Sequence, residues 1–160
     1  MKYTITFFAA LLATSCFGQQ TQIDSTYYAH WIGHWYKVTD GQLADSPTFV
    51  IKRGLYDSSF EEYWMGAGGD FSMAWRAWDC RTQQWDFAWM STDGLFQTWE
   101  GRKVNDIWYM YKTFLINGEE VLSRQAFIPQ GETELTRTSE HSTDGGETWH
   151  LRFSEEYKKR

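Results

Sequence analysis

Turn signals recur at short intervals along this chain, and their spacing constrains the fold more than any other feature. From His34 onward, short runs rich in aromatic and β-branched residues alternate with turn-forming clusters about every 8 to 14 residues. Asp40-Gly41 and Asn117-Gly118 are strong hairpin signals, because both central residues of a type I′ turn need positive φ. The sequence predicts ten strands between the turns, at about residues 34–39, 47–54, 59–65, 71–79, 84–90, 95–103, 107–116, 120–128, 132–141 and 147–157.

Side chains alternate within these runs as they do in a strand. Trp85, Phe87 and Trp89 share one face of their strand, and Asp86 lies on the other. No amphipathic stretch long enough for a crossover helix separates the runs, which excludes a βαβ architecture and favours an antiparallel meander.

Unpaired strand edges decide which architecture such a meander adopts. An open sheet exposes its edges, and closure into an up-and-down barrel removes them. We therefore predict an all-β fold: an antiparallel up-and-down β-barrel of about 8–10 strands, with a short helical turn near residues 26–32. A sandwich of two sheets fits almost as well, because alternation does not say which face points inward. A barrel of this size can enclose one small ligand.

Length and charge limit the organisation and partners of the chain. Its 160 residues suffice for one domain core. The formal net charge of −6 gives no electrostatic footprint for nucleic acid, so we predict no nucleic-acid partner. His30 and His34 are four residues apart, but Gly33 is expected to end any helix between them. We predict no metal site and no cofactor.

Residues 1–18 have the features of a secretory signal peptide. Lys2 precedes an apolar run at residues 5–13, and small residues follow. The run is too short to span a bilayer and no later run is as long, so we predict no transmembrane segment. Cleavage after Gly18 would leave residues 19–160 as a single exported domain, periplasmic or secreted. Lipoprotein processing before Cys16 is the alternative, and it would place a lipid anchor on Cys16.

A short motif leads into the first strand. Gly33 and Trp35 belong to a G-x-W-Y sequence that resembles the opening of the lipocalin and fatty-acid-binding barrels. The resemblance implies a structural role for both residues, with Trp35 plugging the closed end of the barrel. It also implies a cation over the Trp35 ring, for which Arg152 and Arg137 are the candidates.

Residues 142–149 match the Asp-box pattern S-x-D-x-G-x-T-W. In such a hairpin the Asp carboxylate accepts hydrogen bonds from turn N–H groups, the Gly adopts positive φ and the Trp packs under the turn. Asp-boxes recur in sialidase propellers, but a propeller needs several blades of about 40–45 residues, more than this chain can supply. We therefore predict a structural hairpin built by Ser142, Asp144, Gly146, Thr148 and Trp149.

The G-x-W opening, the aromatic meander and this C-terminal hairpin together resemble an uncharacterised family of exported bacterial lipocalin-like (calycin-type) β-barrels. The resemblance covers most of residues 19–160. It implies a fold and no particular chemistry.

Aromatic and polar residues within the strands are the candidates for ligand contact. Aromatic residues make up 19% of the chain, and rings in this number either fill a core or line a cavity. A few polar groups in an aromatic pocket would orient a ligand. The candidates are Trp75, Arg76, Trp85, Asp86, Trp89, Tyr109, Arg124, Arg137 and His150.

The sequence is compatible with three classes of function, and it argues against one catalytic arrangement. Glu61 and Glu62 are adjacent, so only one can point inward and they cannot form a catalytic carboxylate pair. No other catalytic constellation is evident. The favoured function is an exported protein that holds a small apolar or aromatic ligand in an aromatic-lined barrel. The alternatives are a barrel-type isomerase, cyclase or hydrolase acting on a small hydrophobic substrate, and a structural or interaction protein of the cell envelope.

Overall fold

The structure, a computed structural model, describes residues 24–66 and 71–160. The predicted signal peptide and the alternative anchor site at Cys16 lie outside the described residues. Two 3₁₀ turns, Asp24–Thr26 and Ala29–Trp31, precede the strands. The described strands are β1 (Gly33–Thr39), β2 (Gln42–Leu43), β3 (Phe49–Arg53), β4 (Ser59–Met65), β5 (Phe71–Asp79), β6 (Gln84–Ser91), β7 (Phe96–Val104), β8 (Ile107–Ile116), β9 (Glu119–Pro129), β10 (Glu134–Ser142) and β11 (His150–Lys159).

The strands form one closed antiparallel barrel. From β3 to β11 each strand pairs with the next along the chain, β1 pairs with β3, and β11 returns to β1. The two-residue strand β2 pairs with β1 beside the barrel, so ten strands close the wall. This confirms the predicted up-and-down barrel and excludes the sandwich. The sequence does not predict β2, because two residues are too few to show alternation.

Residues with positive φ turn the chain at the hairpin signals. Asn117 and Gly118 have φ of 54° and 86°, and Asp40 and Gly41 have φ of 51° and 75°. These are the left-handed conformations that a type I′ turn requires at its two central positions. Local turn chemistry therefore fixes where neighbouring strands reverse direction.

Aromatic side chains from the 3₁₀ turns and β1 fill one end of the barrel. Tyr28, Trp31 and Trp35 are fully buried. The Trp35 indole Nε1 donates a hydrogen bond to the Trp31 carbonyl oxygen at 2.7 Å, and the Tyr28 and Trp31 ring centroids lie 4.9 Å apart. The opposite end, which we call the mouth, carries the connections that follow β4, β6, β8 and β10.

Lys159, and not the expected Arg152 or Arg137, supplies the cation over Trp35. Lys159 lies opposite Trp35 in the β1–β11 pair, and its Nζ is 5.5 Å from the ring centroid. Closure of the barrel by the last residues of the chain produces this register, which no local pattern predicts. Gly33 has φ of 140°, a backbone conformation that other residues rarely adopt, so the backbone favours glycine at this position. A Cβ there would also lie 2.7 Å from Lys159 Cδ.

Side-chain hydrogen bonds order the hairpin between β10 and β11. The Asp144 carboxylate accepts bonds from the Thr148 backbone N–H at 3.0 and 3.1 Å and from the Thr148 hydroxyl. The Ser142 hydroxyl donates to Asp144 Oδ1 at 2.6 Å and accepts from the Gly146 N–H at 2.8 Å. The Trp149 Nε1 donates to the Gly146 carbonyl oxygen at 3.0 Å. All five residues of the predicted motif therefore take part in this turn.

Asp144→Asn is expected to make the free energy of unfolding less sensitive to a fall in pH below about 4. Hydrogen bonds from Ser142 and Thr148 hold the pKa of Asp144 below its ordinary value of 3.8. Because the folded pKa is the lower one, this carboxylate stabilises the fold above about pH 4 and loses that effect as the pH falls through the folded pKa. Urea denaturation at neutral and acid pH measures the difference in free energy of unfolding between wild type and variant. The difference should shrink below about pH 4, and a constant difference would contradict the assignment.

Candidate functional site

The barrel contains a cavity lined by six aromatic, two aliphatic and seven polar or charged residues. Its volume is about 500 Å³, within the range of small-molecule sites. It reaches the mouth at Ile116, the last residue of β8. The lining residues are Glu62, Trp64, Ser72, Arg76, Phe87, Trp89, Gln97, Trp99, Met110, Phe114, Ile116, Gln125, Phe127, Arg137 and Arg152.

A buried ion pair forms the floor of this cavity. The side chains of Arg76 and Glu62 are each 1% exposed, and Arg76 Nε donates to Glu62 Oε1 at 3.0 Å. Arg76 Nη1 donates to the Tyr28 hydroxyl at 2.9 Å, and Trp64 Nε1 donates to Glu62 Oε2 at 3.1 Å. Burial works against the charged guanidinium, but Tyr28 and Glu62 outweigh that effect and raise the pKa of Arg76. Protein groups therefore compensate both charges of the floor.

Aromatic rings form the wall above the floor. Phe87 on β6 lies opposite Trp99 on β7, with ring centroids 6.4 Å apart and edge-to-face. Trp99 also meets Phe114 of β8 edge-to-face at 5.7 Å. Trp89 lies on the same face of β6 as Phe87, two residues nearer the mouth. Such a wall offers rigid, flat apolar surface to a ligand.

Arg137 on β10 is a second charged residue of the cavity lining. Its Nη2 donates to Gln125 Oε1 at 2.9 Å and its Nη1 to Glu155 Oε2 at 3.4 Å. Glu155 also accepts from Lys37 Nζ and from the Tyr157 hydroxyl, each at 2.7 Å. Burial raises the pKa of Glu155, but those donors and the positive charges of Arg137 and Lys37 outweigh it and lower the pKa. Glu155 is therefore an anion shared between two cations.

A second space of about 810 Å³ adjoins the cavity. Trp64, Ser72, Trp89 and Arg137 line both spaces. A ligand that fills the cavity and extends into the second space would therefore pass Arg137.

Four of the nine predicted contact residues point into the barrel. Arg76, Trp89 and Arg137 line the cavity. Trp85 is fully buried nearer the filled end, where its ring meets Tyr28 at 4.9 Å and its Nε1 donates to a backbone carbonyl oxygen at 2.9 Å. Trp85 therefore packs against the plug and does not line the cavity.

The other five predicted residues lie outside the cavity. Trp75 is 41% exposed and Asp86 is exposed, because alternation places them on the outer face of strands whose inner face carries Arg76 and Trp85. His150 is exposed on β11 opposite His141. The five residues are Trp75, Asp86, Tyr109, Arg124 and His150.

Arg124 and Tyr109 belong to a cluster on the outer wall. The Arg124 guanidinium lies 3.9 Å from the Trp149 ring centroid and 4.5 Å from that of Tyr109. Arg124 Nε pairs with Glu140 Oε2 at 2.7 Å. This cluster ties the β10–β11 hairpin to the outside of the barrel.

The sequence pattern did not identify most of the residues that line the cavity, although alternation along β6 indicates part of the wall. If Trp89 points inward, alternation along β6 adds Phe87, and cross-strand pairing adds Trp99. Of the adjacent glutamates, Glu62 points inward and Glu61 lies on the other face, as the sequence requires. The missing information was which face of any one strand is the inner one.

Two further findings concern the described residues alone. Across residues 24–66 and 71–160, no group of three or more His, Cys, Asp or Glu side chains could hold a metal ion. In the same ranges no helix has the length and apolar character needed to cross a membrane.

The geometry of the barrel is consistent with a lipocalin-like fold. The chain matches no protein-family model and no curated protein. The functional argument therefore depends on the cavity and its lining.

Proposed function

We propose that this protein binds a small apolar or aromatic molecule in the cavity of its barrel. One observation carries the proposal: an aromatic-lined space of about 500 Å³ lies inside a closed barrel with one filled end. Ligand sites in proteins are typically concave, mostly apolar, and provided with a few polar groups that orient the ligand. Eight of the fifteen residues that line the cavity are aromatic or aliphatic, and the other seven supply polar groups.

The ionisable groups of the cavity favour binding over catalysis. An isomerase, cyclase or hydrolase needs a His or carboxylate within hydrogen-bond reach of the proton that it moves. The Glu62 carboxylate is 1% exposed and already accepts bonds from Arg76 and Trp64. None of the four histidines, all in the described part of the chain, lines the cavity.

Native mass spectrometry of the protein purified from its host tests the proposal directly. We expect an added mass that disappears on denaturation, and that mass would identify the ligand class. A bare mass that stays unchanged after incubation with lipid and aromatic extracts would contradict the proposal.

Trp89→Ala is expected to weaken binding of the neutral fluorescent probe N-phenyl-1-naphthylamine by about tenfold. Loss of one aromatic contact costs about 1.4 kcal/mol, which corresponds to that factor. A fluorescence titration measures the dissociation constant. Trp75→Ala is the matched control, because Trp75 is a tryptophan on the neighbouring strand that faces outward. Equal weakening by both substitutions would place the probe somewhere other than the cavity.

Export and family membership belong to the same proposal. We infer that residues 1–18 direct export and that the chain belongs to the lipocalin-like exported barrels that it resembles. The positively charged start, apolar run and small residues support export. Burial of Trp35 beneath Lys159 supports the family relationship. The intact mass of the protein from its host distinguishes cleavage before Gln19 from lipid attachment at Cys16.

A second candidate function is favoured by an apolar area on the outer wall near the mouth. Met65 lies opposite Phe71 and Met90 opposite Phe96, and all four side chains are exposed. Exposed apolar patches mark interaction surfaces, as an envelope interaction protein would need. If this candidate holds, Phe96→Ser reduces co-sedimentation with the host's envelope fraction and leaves naphthylamine binding unchanged.

A further inference from the structure

We infer that the ligand carries one oxyanion, such as a carboxylate, beside its apolar body, and the geometry points to Arg137 as the residue that recognises it. This inference rests on the proposed function and deepens it. Three features of the cavity support it: the direction of its amide groups, the balance of its charges and the environment of Arg137.

The amide groups of the cavity leave donors for a ligand. Gln97 Oε1 accepts from Trp99 Nε1 at 3.2 Å, and Gln125 Oε1 accepts from Arg137 Nη2 at 2.9 Å. Each glutamine thus uses its oxygen on a protein donor, and the group that it offers the cavity is its N–H₂. A ligand that satisfies these amides must bring hydrogen-bond acceptors.

The lining of the cavity also carries more positive than negative charge, which favours an anionic ligand. Three arginines and one glutamate are among its lining residues, in a chain whose formal net charge is −6. Glu62 is the glutamate, and Arg76 compensates it at the floor. Arg137 and Arg152 are the remaining cations of the lining, and Glu155, the carboxylate that contacts Arg137, lies outside it.

The environment of Arg137 leaves its charge incompletely neutralised. Its contact with Glu155 is long, at 3.4 Å, whereas Lys37 holds the same carboxylate at 2.7 Å. The Arg137 Nε is buried without a hydrogen-bond partner among the described residues. A guanidinium has five N–H donors arranged to match a carboxylate, and such charge-assisted bonds are strong where water is scarce.

Arg137 lies within reach of a ligand that also contacts the aromatic wall. Arg137 lines both the cavity and the second space, and the Trp64 ring centroid lies 4.7 Å from its guanidinium. Phe87 and Trp99 line the same cavity. One ligand can therefore place its apolar body against this wall and its oxyanion at Arg137.

A matched pair of probes tests this inference: 1-pyrenebutanoate and 1-pyrenebutanol share a flat aromatic body and differ in the terminal group. Competition with N-phenyl-1-naphthylamine on the full protein gives both affinities. We expect the acid to bind about tenfold more tightly or better, as one charge-assisted contact provides. Arg137→Met should abolish this preference, so that the acid and the alcohol bind with similar affinity, and its far-UV circular dichroism spectrum shows whether the variant is folded.

Arg124→Met is the matched control, because Arg124 is also held by a carboxylate and a tryptophan ring but lies on the outer wall. It should keep the preference for the acid. Equal binding of acid and alcohol by the wild type overturns this inference and leaves the proposed function intact. A preference that survives Arg137→Met overturns the assignment to Arg137. Failure of naphthylamine and of both pyrene probes to bind overturns the proposed function itself.

Discussion

Arg76→Met is expected to lower the free energy of unfolding by about 3–5 kcal/mol, because it leaves a buried carboxylate without its cation. Glu62 and Arg76 are both 1% exposed, so water cannot replace the missing partner. The substitution also removes the donor to the Tyr28 hydroxyl. Urea or guanidinium denaturation, followed by tryptophan fluorescence, measures the loss.

The double variant Glu62→Met with Arg76→Met separates a missing partner from a general packing defect. Removing both charges of a buried pair is often neutral or stabilising, so the double variant should be more stable than the single one. Glu134→Gln breaks an ion pair with Lys158 at 2.9 Å, whose two side chains are about half exposed, and should cost only about 0–1 kcal/mol. A double variant no more stable than Arg76→Met would show that the cost does not come from the unpaired charge.

The strand order of this barrel could be predicted because its turns are encoded locally. Asn117 and Gly118 determine their hairpin through φ alone, whatever surrounds them. Signals of this kind recur along the chain, and sequential antiparallel strands then follow without knowledge of the core. The closing pair between β1 and β11 was predicted only in outline, since exposed edges require closure but do not fix its register.

The inner face of each strand was harder to predict, and β5 shows why. Trp75 and Arg76 are neighbours, and hydrophobicity alone would place the tryptophan inside. The structure places Arg76 inside and Trp75 outside, because Arg76 meets Glu62 on β4 and Tyr28 before β1. Those partners are distant in sequence, so the stability of a buried arginine depends on contacts that no local pattern contains.

A register shift between β10 and β11 changes which residues of β11 face inward, and alternation does not predict it. Alternation places Leu151 and Phe153 on one face. In the structure Ser139 pairs with Phe153 but Glu140 pairs with Leu151, so the register shifts at this point. The extra residue, Arg152, breaks the alternation, and Leu151 becomes 61% exposed. Arg152 thereby joins the cavity lining, a position that period-two alternation does not assign to it.

Trp35→Ala is expected to lower the free energy of unfolding by about 3–5 kcal/mol, since it opens a cavity in the filled end of the barrel. Trp35 is fully buried, stacks on Phe49 at 6.0 Å and lies beneath Lys159. Its Nε1 also fixes the preceding turn through the Trp31 carbonyl oxygen. Thermal or denaturant unfolding of the full protein measures the change.

Two comparisons show whether Trp35 acts as a plug and not merely as one more aromatic residue. Trp75→Ala removes a tryptophan that is 41% exposed, and it should cost far less than Trp35→Ala. Trp35→Phe keeps a ring in the filled end but loses the bond to Trp31, and an intermediate loss of about 1–3 kcal/mol is expected. Similar losses for Trp35→Ala and Trp75→Ala would contradict the plug. If Trp35→Phe also keeps its affinity for naphthylamine, the filled end stabilises the barrel without contributing to the ligand site.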